Sequence, residues 1–101
     1  MSNADKTKAD IAEEAVSISV RGRVQGVGFR AWTVRLARKY AVKGAVYNND
    51  DGTVGVIAEG SRALLASFMQ ALESSHPYAR VDCLDWEKIP VRGFNSFDIV
   101  Y

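Results

Sequence analysis

Val16-Ser17-Ile18-Ser19-Val20-Arg21, running directly into Gly22-Arg23-Val24-Gln25-Gly26-Val27-Gly28-Phe29-Arg30, is the stretch from which the fold can be read. Val16, Ile18 and Val20 alternate with Ser17, Ser19 and Arg21, the pattern of a half-buried strand. Beyond the glycines, Phe29, Thr33, Leu36, Ala37 and Tyr40 fall on one face at helical spacing, with Arg35, Arg38 and Lys39 off it. Trp32 lies outside that stripe and is read as packing at the domain edge. Between strand and helix, a glycine-rich loop can curl and point successive backbone N–H groups inward, which makes an anion-binding concavity. The helix adds its unpaired first-turn donors and the positive end of its dipole. Arg30 adds a forked guanidinium that fits two phosphate oxygens at once. The residues Gly22, Arg23, Val24, Gln25, Gly26, Val27, Gly28 and Arg30 thus form a candidate phosphate cradle. No Lys-Ser/Thr follows the last glycine, so it is not a Walker loop, and the spacing misses the dinucleotide fingerprint. Taken alone, the loop is equally well a tight strand-to-helix turn whose arginines are solvated.

Downstream, Val42, Gly44 and Val46 alternate with Lys43, Ala45 and Tyr47 as a second strand. Asn48-Asn49-Asp50-Asp51-Gly52 is a turn, and Thr53 to Glu59 resumes the alternation, which predicts a β-hairpin. Ser61 offers a helix N-cap, followed by an apolar stripe through Leu64, Leu65, Phe68, Met69 and Leu72. Pro77 ends this second helix by disfavouring helical backbone in the residue before it. Arg80 to Ile89 reads as a longer strand, Pro90 to Asn95 as a loop, and Phe97, Ile99 and Tyr101 as a last short strand. The order β-α-β-β-α-β plus one strand predicts an α+β, ferredoxin-like split β-α-β sandwich, an antiparallel sheet with two helices on one face. Residues 1–15, polar and without an apolar face, read as a disordered tail with a transient helical turn over Asp10–Ala15. Residues 16–101 form the domain.

At 101 residues the chain holds one domain, and 48% apolar with 25% charged residues is ordinary for a soluble globular protein. A net charge of +1 gives no general case for nucleic acid or an anionic membrane surface, so any anion selectivity is local. Arg21, Arg23 and Arg30 crowd the loop. One cysteine, Cys83, permits no intrachain disulfide and points to the cytoplasm. No apolar leader or membrane-length stretch is present. His76 is the single histidine, and nothing in the spacing calls for a metal.

The two segments Gly22–Arg30 and Tyr47-Asn48-Asn49-Asp50-Asp51-Gly52-Thr53-Val54 together resemble the acylphosphatase family. The resemblance covers Val16 to Tyr101 in matching element order, and extends to Ala79-Arg80-Val81 and Phe97-Asp98-Ile99. It implies hydrolysis of acyl phosphates to a carboxylate and inorganic phosphate, without cofactor or metal. By position it makes Arg30 the substrate-binding arginine, Asn48 the catalytic asparagine, and Gly22 to Gly28 the phosphate-binding loop, a site for phosphate or sulfate. It implies a small-molecule substrate; a monomer needs no special explanation, and the net charge leaves no nucleic acid and no membrane expected as partner. Two departures lie outside these motifs: Ala45 stands where the family often has a bulky aromatic, and the Ser74–Tyr78 turn is less glycine-rich. They bear on substrate preference and stability rather than on the chemistry.

The chemistry stands on its own terms. A carboxylate leaves readily, so breaking an acyl phosphate needs no strong acid, and a loose phosphoryl transition state requires mainly positioning and charge stabilisation. Asn48 is neutral and cannot be a strong base, but it can orient a water. Cys83 has no arginine in the seven residues after it, which argues against a thiol phosphatase; it is read as core or edge packing. His76, beside Pro77, is read as solvated, and Asp50-Asp51 as a backbone-capping turn. Two other classes are weighed. One is a binding-only module like the start of the hydrogenase-maturation carbamoyltransferases, which continue into zinc-finger and further domains whereas this sequence stops at Tyr101. The other is a ferredoxin-like RNA-binding domain, which needs stacking aromatics that Val16–Arg21 and Thr53–Glu59 lack.

Overall fold

The computed structural model describes residues 13–101. Its elements are β1 (Glu13–Arg23), α1 (Phe29–Lys39), β2 (Lys43–Asn48), β3 (Val54–Ser61), α2 (Arg62–Ser74), β4 (Arg80–Ile89) and β5 (Phe97–Ile99). The strands form one sheet in the order β4-β1-β3-β2-β5. Pairing is antiparallel throughout except at the last step, where β5 runs parallel to β2 with Gly44 opposite Phe97. The ferredoxin-like arrangement is therefore present, but its sheet is mixed.

One core joins sheet and helices. Val16, Ile18 and Val20 of β1 meet Val54, Val56 and Ala58 of β3, and over them lie Phe29, Leu36 and Ala37 of α1 and Leu65, Phe68 and Leu72 of α2. Val34 is buried too, so the α1 stripe is wider than the sequence suggests. Phe68 and Phe97 meet edge to face at 6.1 Å, which ties α2 to the last strand. On α2, Leu64 is exposed while Ala71 is buried, a rotation of the stripe by about one position.

β1 begins at Glu13, earlier than its apolar alternation indicates, and Ala15 is fully buried. The rest of the expected tail, residues 1–12, lies outside the described residues. The early part is held by its ladder to β3, with Glu14 opposite Gly60, and by charge: Glu14 accepts from Arg62 at 3.0 Å and pairs with Lys88 at 3.1 Å. Those two cations hold its carboxyl below its ordinary range.

Glu59, fully buried on the central strand β3, accepts hydrogen bonds from three successive amides, Arg92, Gly93 (3.1 Å) and Phe94 (2.9 Å). A buried carboxylate is tolerable only with such partners. It pegs the connection that carries the chain from edge strand β4 to edge strand β5. His76 differs from its reading as solvated. Its Nδ1 accepts from the amides of Tyr78 and Ala79, both at 3.0 Å, and its ring meets Trp32 edge-on at 4.9 Å. Burial and the nearby Arg35 charge lower its pKa, which keeps it an acceptor. Trp32 does pack at the edge, against Phe29 at 5.4 Å. Cys83 is exposed on β4 rather than packed, and the Asp85 carboxylate beside it raises its pKa.

Candidate active site

The loop between β1 and α1 starts at a bulge, where the β1–β4 register shifts between Arg21 and Gly22. A side chain at Gly22 would place Cβ 2.0 Å from the Arg80 carbonyl oxygen, so glycine alone lets the strands stay paired here. At the other end Gly28 is the N-cap of α1, in the left-handed region at φ 72°. It supplies no capping side chain, and no acidic residue occupies the first turn. The first amides of the helix therefore have no side-chain acceptor, while the helix dipole adds positive potential at the same point.

The loop is fastened to the β2–β3 hairpin by Gln25, whose Nε2 donates to the carbonyls of Asn49 (3.1 Å) and Thr53 (2.9 Å). The hairpin is itself braced. Asp51 Oδ1 accepts from the Thr53 amide at 3.0 Å and from its hydroxyl at 2.6 Å, and Asn49 Nδ2 donates to Thr53 Oγ1 at 3.0 Å. The two bonds from Thr53 lower the Asp51 pKa and give it the backbone-capping role read for that turn. Asn48, at the last position of β2, is thus held opposite a loop that is joined to its own hairpin.

Between them lies a cleft of about 230 Å³ lined by Val24, Gln25, Gly26, Gly28, Phe29, Arg30, Ala31, Asn48, Ile99 and Tyr101. Arg30 and Asn48, far apart in the chain, share it. Of the residues singled out by sequence, Val24, Gln25, Gly26, Gly28, Arg30 and Asn48 come together. Gly22 and Arg23 stay at the end of β1, paired with Val81 and Arg80, and Val27 packs against the core, so these three do not line the cleft. Gln25 lines it while spending its amide on the hairpin.

Ile99 and Tyr101 had no signal in the sequence as site residues. The parallel addition of β5 to β2 carries them there, and the Arg30 guanidinium stands 5.2 Å from the centre of the Tyr101 ring. Tyr101 is almost fully exposed, so this is an open-sided cation–π contact at the mouth of the cleft. Among the described residues no three His, Cys, Asp or Glu side chains come together to hold a metal. No helix among the described residues is long and apolar enough to cross a membrane.

The family model described as Acylphosphatase matches residues 16–99. An acylphosphatase of Treponema denticola is 48% identical over 85 residues, covering 84% of this chain and 90% of that one. The crystal structure of an acylphosphatase from Bacillus subtilis superposes with a TM-score of 0.84 at 38% identity, over 87% of this chain and 99% of that one. Full-length HypF, in a phosphate- and nucleotide-bound form, superposes with a TM-score of 0.85 at 30% identity. There the match covers 90% of this chain but 12% of the other, so the same fold also serves as a small part of a much longer protein.

Proposed function

The chain belongs to the acylphosphatase family and hydrolyses acyl phosphates, and on that premise we propose that Arg30 and Asn48 carry the reaction without a metal. The observation that supports this is their shared cleft at the uncapped start of α1. Arg30, the loop of Val24 to Gly28 and the first amides of α1 bind the phosphoryl oxygens and stabilise the charge that gathers on them in the transition state. Asn48 orients a water toward phosphorus. As the water oxygen bonds to phosphorus, the bond to the acyl oxygen breaks and its electron pair leaves with the carboxylate. The water proton passes to a phosphoryl oxygen of the substrate, so no protein base is required. Gly22, Arg23 and the side chain of Gln25 act on the loop's shape rather than on the substrate. A single chain supplies every lining residue, which suits a monomer, and an exposed unpaired thiol suits the cytoplasm.

The reading is tested by steady-state hydrolysis of benzoyl phosphate and of an alkyl phosphate monoester, with and without EDTA. Benzoyl phosphate turns over far faster, chelation changes nothing, and Asn48→Ala lowers kcat roughly a hundredfold with little change in KM. Comparable rates on the two substrates, loss of activity in EDTA, or full turnover in Asn48→Ala would each contradict it.

A further inference from the structure

A second groove, of about 360 Å³, runs along α1 and is lined by Ala31, Val34, Arg35, Arg38, Asp98 and Ile99. Ala31 and Ile99 are also walls of the cleft that contains Arg30 and Asn48, so the two depressions meet at those side chains. An acyl phosphate held at Arg30 by its phosphoryl group must send its acyl portion away from the loop. The small Ala31 with the aliphatic Val34 and Ile99 offers it an apolar passage. Further along lie two arginines. At 1.5 Å per residue, Arg38 is roughly 12 Å along the helix axis from Arg30, a span that a short acyl chain and two flexible guanidinium stems can bridge.

The groove carries two cations, Arg35 and Arg38, against one carboxylate. The sequence of α1 contains Arg30, Arg35, Arg38 and Lys39 but no acid. The carboxylate in the groove is Asp98, one oxygen of which accepts from Ser96 Oγ, while the other stands 4.0 Å from Arg38. Both members of that pair are about two-thirds exposed, at 66% and 63%, so the contact is screened and exchanges readily. Arg35 is exposed and forms no ion pair among the described residues.

We propose that this groove is the acyl subsite and that Arg35 and Arg38 select acyl phosphates carrying a second anionic group a few atoms from the carbonyl. The proposal rests on the catalytic reading of the neighbouring cleft. A contact so far from phosphorus is made equally in the ground and transition states, so it acts on KM and leaves kcat alone.

The test compares butyryl phosphate with succinyl phosphate, which share the reacting group and differ in a terminal carboxylate. In the double variant Arg35→Ala/Arg38→Ala, KM for succinyl phosphate rises roughly five- to twentyfold while butyryl phosphate is unaffected. Asp98→Asn removes the competing carboxylate and lowers KM for succinyl phosphate alone. Added salt erodes the preference, because these charges are exposed. Equal changes on both substrates, or an unchanged KM for succinyl phosphate in both variants, would overturn the subsite while leaving the cleft's assignment intact. Failure of the unmodified chain to cleave either acyl phosphate would overturn that assignment, and the subsite with it.

Discussion

At the start of α2, Ser61 Oγ accepts the Leu64 amide at 3.3 Å, whereas at the start of α1 the N-cap is Gly28, which has no side chain to offer. Neither helix has an acid in its first turn, and each carries an arginine there. Arg62 of α2 turns to Glu14 on the neighbouring strand at 3.0 Å, while Arg30 of α1 faces a cleft and meets only the ring of Tyr101 at 5.2 Å among the aromatic contacts described. Two similar helix starts thus have opposite uses. One gives a first-turn amide a side-chain acceptor within the fold, and the other leaves its amides without one, as the proposed phosphate site requires. With glycine at the N-cap the missing side-chain cap costs only about a few tenths of a kcal/mol, a small cost that binding of an anion at the proposed site would offset.

The largest effect that can break this contrast lies in the two arginines. Arg30→Ala lowers kcat/KM by roughly a thousandfold or more, the scale of removing a charge aimed at a phosphoryl transition state. Arg62→Ala leaves kcat/KM within about twofold, since it loses only an exposed pair. Similar losses in both would mean that the first turn of α1 has no special role. A smaller effect sharpens the other side. Ser61→Ala destabilises the domain by about 1 kcal/mol and lowers Tm by about 4–8 °C, with kinetics unchanged. A fall in kcat with Ser61→Ala would couple α2 to the site in a way the contrast does not allow.

Much of this was legible before any coordinates. Alternation located the strands because one face of each is buried, and the family resemblance, through the glycines, Arg30 and Asn48, named residues several of which the fold brings to one cleft. Four features were not legible, each for a physical reason. Apolar periodicity is silent about Glu13–Ala15, because two of the three are acids and the stretch is held by backbone pairing with β3 and by the ion pairs of Glu14. Glu59 looks like a strand-end surface residue, since nothing local shows that three distant amides will converge on it. Tyr101 reaches Arg30 only through the parallel addition of β5, a long-range pairing that a three-residue strand cannot announce. His76 reads as solvated because its partners, Trp32 and the Tyr78 and Ala79 amides, meet it only once α1 and the turn after α2 pack.

The claim that α1 keeps its first turn for phosphate is tested most directly by melting the protein in inorganic phosphate against chloride at matched ionic strength. A ligand that binds only the folded form stabilises it by roughly 1.4–2.7 kcal/mol at about ten to a hundred times Kd, a rise in Tm on the order of 5–20 °C for a domain of this size. The unmodified chain and Arg62→Ala show that phosphate-specific rise, and Arg30→Ala loses most of it. An equal rise in all three would mean that phosphate acts as a general stabilising salt, and that the open end of α1 is not where it binds.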